Sequence, residues 1–571
     1  MRIKQVIGLV LTVLLASLFL LLGLFAVPIN AQTNSTWNGG TGNWSNTSNW
    51  NPSAVPNNSV STIYSVTINV PDSVVSMNLN TTIANLSLGV TDTLSINSGD
   101  SLIVLAAVSN AGTLINSGTL GSNGFGSVTN TGTIINTSTI INVHGSEFNN
   151  LGALTNTGTI VSTQGGEADN SGTLTNTGLM TVFQSILNNA GTLNNIGGSI
   201  QVGNESTLTN TSTLNNIGGT VVINNGAFGL TNNGTLYNDS TSTISNKFGG
   251  INNAGTLNNA GTLDNVGPSV SFGSALNNSG TINNSGTLNN GSFGTIINTG
   301  TINNALGGSL NNSGTLNNSG TINNGGTFTN SGAVTISSSS QFTTSTNYMQ
   351  TAGSTLVSGT LTATGSAIVD IQGGSLGGTG TINGNVAMGG TLTPGSARTP
   401  GTLVIFGNYE QLGNGTLEEL MGPVSHSFLD VSGNVMLDSG SLLDITLLNG
   451  FDPLNQTFSI MDFESRVGQF SNGPSFSDDG FIWAITYRQH EIDVTAVQPT
   501  PEPNSLLLLF IGLAALAFYY TCPEKWTRRN ALPKVNPGRI HPGGTFYGQR
   551  VARHWSGSTC LDSPMGHGMT I

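Results

Sequence analysis

The chain has 571 residues, of which 36% are hydrophobic, only 7% are charged and 78 are glycine. Ordinary globular domains carry about a quarter charged residues, so this composition excludes a standard enzyme surface, while the plentiful aliphatics exclude a disordered polyelectrolyte. A formal net charge of -13 also argues against nucleic acid as a partner.

The N-terminal stretch MRIKQVIGLVLTVLLASLFLLLGLFAVPINAQ has Arg2 and Lys4, then a long apolar core, then the small residue Ala31. This pattern predicts a secretory signal peptide over residues 1–31, with a helical apolar core, cleaved near Ala31. An uncleaved anchor is the alternative, because the apolar core is long. Either way, residues from Gln32 onward leave the cytoplasm.

Residues 32–100 open with TWNGGTGNWSNTSNWNPSAVPNN, which places Trp37, Trp44 and Trp50 close together. Two readings apply to these rings. They cap the apolar end of a repeat structure, or they stack on sugar as exposed aromatics.

From about 110 to 332 one phrase recurs, N-x-G-T-[L/I]-N, as in NNSGTLNNSGTINN at 311–324. Gly and Asn at every turn oppose a helix. Thr-Leu and Thr-Ile suit a short strand, with the aliphatic inward and Thr outward. Gly and Asn suit turns because both tolerate positive φ. The expected fold is therefore all-β: an elongated β-solenoid with repeats over 101–372, a thin aliphatic core and Asn amides bonded in ladders. At roughly 20 residues per coil and about 4.8 Å rise, it would hold a little over twenty coils and measure near 100 Å. The strict six-residue period favours a left-handed coil. Irregular insertions such as VVINNGAFGL (221–230) favour a right-handed parallel β-helix, which is the expectation carried forward.

Over 373–498 the strands lengthen, with LVIFGNYEQ and LLDITLL as good examples. The phrases GTGTINGNV, PGSARTPGTL and DVSGNVML resemble the C-terminal part of autotransporter-type passenger regions. The resemblance implies a secreted β-solenoid and carries no catalytic implication.

No metal or cofactor is expected. Cys522 and Cys560 are the only cysteines, and both lie late in the chain, so the body has neither disulfide nor thiolate site. His144, Glu147, Glu167, Asp169, Glu205, Asp239, Lys247 and Asp264 read as scattered, with no acidic pair at coil spacing. Asp430, Asp438 and Asp444 read as solvated turn residues. His426 and His490 lack companions, and no nucleophile elbow is present. The chain is not expected to be an enzyme. A polysaccharide-acting β-helix enzyme is kept as a rival, and it requires carboxylates converging from separate coils.

Residues 499–530 combine Pro501-Glu502-Pro503, the apolar run 506–520 and Arg528-Arg529. This reads as a single C-terminal transmembrane helix near the lower limit for spanning, with its basic end in the cytoplasm. The combination resembles the PEP-CTERM sorting signal of Gram-negative bacteria. That resemblance implies processing by an exosortase-type protease, transient or permanent residence in the inner membrane, and passage to the cell surface or an exopolysaccharide/biofilm matrix. It assigns recognition to Pro501, Glu502, Pro503, Arg528 and Arg529. Residues 531–571 form an atypical tail beyond the point where the family usually ends. An autotransporter-like adhesin is a further rival; it requires a C-terminal β-barrel, for which no strands are evident.

Overall fold

The computed structural model describes residues 31–499 apart from 125 and 270, together with position 513. The described chain is a parallel β-solenoid whose strands are mostly four or five residues long. Its helical content over 31–499 is one 3-10 turn at Thr47–Asn49.

Each repeat coil contains three short strands. In one coil these are 107–110, Thr113–Asn116 and Thr119–Ser122, and the next coil repeats them at Ser127–Asn130, Thr133–Asn136 and Thr139–Val143. Equivalent strands stack in register, so three parallel sheets form the faces of a triangular prism. The second sheet runs without a break from Thr41–Asn43 to Thr457–Asp462, a ladder of 20 strands. At about 4.8 Å per strand that is about 90 Å, close to the expected length.

The repeat unit explains each strand. In Thr-Leu-Asn-Asn the first and third residues face outward and the second and fourth are buried. The aliphatics stack on one another: Leu257, Ile282, Ile302 and Ile322 are each 0% exposed. The final Asn turns into the corner, where its amide joins a ladder. Asn110, Asn130, Asn150 and Asn170 are linked by Nδ2–H donation to the next Oδ1 at 2.6, 2.7 and 2.7 Å. That column continues through Asn253, Asn278 and Asn298 to Asn318. A second column runs from Asn116 to Asn324, and a third from Asn246 to Asn330 and Gln350. The second N–H of each amide reaches backbone carbonyls; that of Asn278 bonds to Thr301 O at 2.9 Å and Gly280 O at 3.2 Å. Burying so many amides is tolerable because every rung above the first in each column is paired.

All inner ladders donate toward the C-terminal coils. Each therefore begins with an acceptor stacked on an aliphatic residue, Leu88, Ile96 or Ile223, and the Oδ1 atoms of Asn110, Asn116 and Asn246 are buried without a partner. Outward Asn columns donate the other way, as in Asn323 to Asn303 and Asn303 to Asn283, both 2.9 Å. The two sets of amide dipoles therefore oppose each other.

The repeat glycines correct the expectation that they serve positive φ. Gly255, Gly280, Gly300 and Gly320 are absent from the positive-φ set. They are required by contact between coils: a Cβ on Gly280 would lie 2.1 Å from Gly255 O, and one on Gly300 the same distance from Gly280 O. The repeat asparagines likewise serve as ladder rungs rather than left-handed turn residues.

Both ends of the described prism depart from the repeat. At the N-terminal end Trp37, Trp44 and Trp50 are 2%, 0% and 1% exposed. Their rings meet edge to face, with centroids 4.9 Å apart for Trp37–Trp50 and 4.7 Å for Trp44–Trp50. Toward the other end the Asn columns stop where Phe328, Phe342 and Tyr348 pack together. LVIFGNYEQ proves to be two strands, Thr402–Phe406 and Tyr409–Gln411, broken at a corner. Ser465–Gly468 still pairs parallel with Asn434–Leu437, and beyond it the pairing turns antiparallel. Glu491–Pro499 lies between Thr457–Asp462 and Phe481–Tyr487, and the latter pairs with Ser475–Asp478 over the buried Trp483. This small antiparallel sheet closes edges that would otherwise template further strands.

Candidate functional site: a carboxylate groove at the C-terminal coils

Where the solenoid meets the antiparallel sheet, acidic side chains from three segments converge. Glu418 and Asp444 are direct partners on adjacent coils of one sheet, 26 residues apart in sequence. The loop entering Phe481–Tyr487 brings Asp478 and Asp479 against the same strand. Asp478 Oδ2 accepts from Ile445 N at 2.7 Å, and Asp479 Oδ2 accepts from Leu447 N. Asn472 pairs with both backbone groups of Leu443, at 2.8 and 2.9 Å, in place of a neighbouring strand. Between them lies an open groove of about 580 Å³, with Glu418, Asp444, Asp478 and Phe476 in its wall.

The electrostatics follow from crowding. Desolvation is the largest cause raising the Asp444 carboxyl, followed by its hydrogen bond with Asp478 and by the negative charges of Asp478, Glu418 and Asp479; together they push it up to about 6. Asp444 thus holds a proton in mildly acidic solution. Both Glu418 oxygens are engaged, accepting from Thr393 Oγ1 at 2.7 Å and Thr446 Oγ1 at 3.2 Å. Beneath the groove, Glu419 occupies an inner corner position with neither oxygen hydrogen-bonded. Burial first, and the adjacent Glu418 charge second, hold it well above the usual carboxylate range.

The arrangement can store and release a proton and bind hydroxyl groups. No arrangement of three or more His, Cys, Asp or Glu suited to a metal ion occurs among the described residues. Asp444 was expected to be a solvated turn residue; instead it is half-buried in a strand between two carboxylates. Coil spacing also recurs elsewhere, contrary to the sequence expectation. Glu147 stacks directly on Glu167, and Asn188 Nδ2 donates to Glu167 Oε1 and Asp169 Oδ1, both at 2.8 Å. That pair, 20 residues apart, was legible in the sequence; Glu418–Asp444 was hidden because the coils lengthen there.

The remaining candidates separate cleanly. His426 packs on Phe458 and bonds to Ser459 O at 2.9 Å, and His490 bonds to Glu464 O at 2.8 Å. Both serve local structure. The three tryptophans pack into the core and leave no open ring face for sugar stacking. The signal peptide core and the sorting-signal residues Pro501, Glu502, Pro503, Arg528 and Arg529 lie outside the described residues, as does the apolar run apart from Leu513. No helix among the described residues is long and apolar enough to cross a membrane.

No protein-family model matches this chain, and no curated protein matches it. Among solved structures, the Haemophilus influenzae Hap adhesin is similar at 11% identity with a TM-score of 0.28, covering 76% of this chain. The match spans 64% of that structure's length.

Proposed function

We propose that the chain is an exported, non-enzymatic structural or adhesive protein of a bacterial surface or extracellular polysaccharide matrix. The observation that carries this reading is the architecture of the body. Its polar interior is consumed by Asn ladders running coil to coil. Its outward columns on the second sheet, from Thr93 to Asn383, contain no Asp, Glu, Lys, Arg or His. Such a body presents a long, rigid, neutral surface of hydroxyls and amides, suited to contact rather than catalysis. In this reading Pro501-Glu502-Pro503, the following helix and Arg528-Arg529 form the sorting tag, processed by an exosortase-type protease at the inner membrane.

Replacing Pro501, Glu502 and Pro503 by alanine tests the tag. The proposal expects the unaltered chain to be shortened and found outside the inner membrane, and the variant to stay full length within it. Uncleaved inner-membrane protein in both cases would refute it.

The rival reading as a polysaccharide-acting enzyme draws on one observation, the pairing of a protonatable Asp444 with Glu418 in an open groove. The hydrogen bonds already engaging Glu418 and Asp478 favour a structural role for these carboxylates.

A further inference from the structure

The dipeptide Phe-Gly recurs at 228–229, 248–249, 272–273 and 293–294. All four fall at the same corner of the prism, where the chain passes from the third sheet to the first, one per coil over four successive coils. The glycines stand where the chain re-enters the ladder. A Cβ on Gly229 would lie 2.1 Å from Gly250 O, and one on Gly294 would lie 2.2 Å from Asn265 O. The phenylalanine before each glycine is turned out of the core. Phe228, Phe272 and Phe293 are 55%, 52% and 40% exposed; Phe183 and Phe406 are exposed singly elsewhere, while Phe148, Phe328 and Phe342 are buried. Phe248 is half-buried and meets Phe272 edge to face, with ring centroids 4.8 Å apart. Val266 extends the strip beside Gly291. Apolar side chains are exposed singly elsewhere on the rod, but a contiguous row of rings kept at the surface marks an interaction site.

We propose that this ridge is a binding strip for an uncharged polysaccharide chain lying along the solenoid axis. The proposal rests on reading the chain as a contact protein and names the site of contact. Three features select the ligand. A linear polymer laid along the axis meets one ring per coil, and the apolar C–H faces of its sugars suit ring faces. Columns of Thr, Ser and Asn flank the rings, including Thr243 and Thr262 on one side and Asn252 and Asn277 on the other, within reach of sugar hydroxyls. The ridge is also nearly neutral. Between 220 and 300 the only Asp, Glu, Lys, Arg or His residues are Asp239, Lys247 and Asp264, and both aspartates are occupied by neighbouring donors. An anionic polymer would meet one lysine on a chain of net charge -13. A second copy of the chain is disfavoured by area. Four half-exposed rings offer roughly 400 Å², short of the about 800 Å² per partner that stable protein interfaces bury.

Affinity electrophoresis of the full-length chain tests the ridge, in gels containing a soluble β-glucan, dextran or alginate. Retardation by an uncharged glucan is expected, with at least a tenfold loss of apparent affinity in the triple variant Phe228→Ser/Phe272→Ser/Phe293→Ser. Circular dichroism should be unchanged, Phe272→Ser alone should show a partial loss, and Lys247→Ala should bind normally. Equal retardation of the triple variant overturns the assignment. So does retardation by alginate alone that vanishes in Lys247→Ala. A wild type that self-associates in sedimentation while the triple variant is monomeric would hand the ridge to a second copy. Failure to bind either uncharged glucan also rejects the ridge, while the tag experiment separately decides the reading of export.

Discussion

Asn278 shows why the repeat is so strict. Its Nδ2 donates to Asn298 Oδ1 at 2.8 Å, and its Oδ1 accepts from Asn253 at 2.7 Å, all inside the prism. Replacing it with alanine leaves one donor and one acceptor buried and unpaired, at about 1–3 kcal/mol each. Asn278→Ala should therefore lower stability by about 2–5 kcal/mol in urea unfolding. Asn317→Ala, an outward position in the same kind of strand, should stay within about 0.5 kcal/mol. Glu419 is the opposite case, a buried acid with no partner. Its folded-state pKa is raised, so its contribution to stability is fully present below the unfolded value near 4.5 and is lost as pH rises toward the folded value. The loss runs at about 1.4 kcal/mol per pH unit. Unfolding free energies measured from pH 4 to 7 should fall accordingly in the wild type and be flatter in Glu419→Gln.

Strands and corners were unequally legible. The inward Leu, outward Thr and laddered Asn of Thr287–Asn290 follow from a six-residue period, because a strand alternates faces and identical residues stack. The glycine at the corner was identified correctly as a turn residue but for a different reason, since coil-to-coil contact leaves no trace in a local pattern. The antiparallel strands at 457–499 were invisible as a closing sheet, and with them Asp478 and Asp479, which only that sheet brings to Asp444. The tight corner gives a direct test. Gly280→Ala must push Gly255 O away from 2.1 Å, and it should cost about 1–3 kcal/mol by overpacking. Ser279→Ala, one residue earlier and exposed, should cost under about 1 kcal/mol. Thermal melts of the two variants check this.

Taken as a whole, the described body is a prism of stacked coils whose interior is polar at the corners and apolar along the faces, closed by buried tryptophans at one end and an antiparallel sheet at the other. Each coil relies on its neighbours, as in other repeat proteins, so the surface it presents is regular over about 90 Å. That regularity suits retention of a polymer and offers little to turnover, and the groove at Glu418 and Asp444 is where turnover would occur if the reading were wrong. The most direct measurement is to incubate the full-length chain with a soluble uncharged glucan and assay bound polymer and new reducing ends together. The account predicts bound polymer with no increase in reducing ends at pH 5 or pH 7. Reducing ends that accumulate in the wild type and disappear in Asp444→Asn would contradict it.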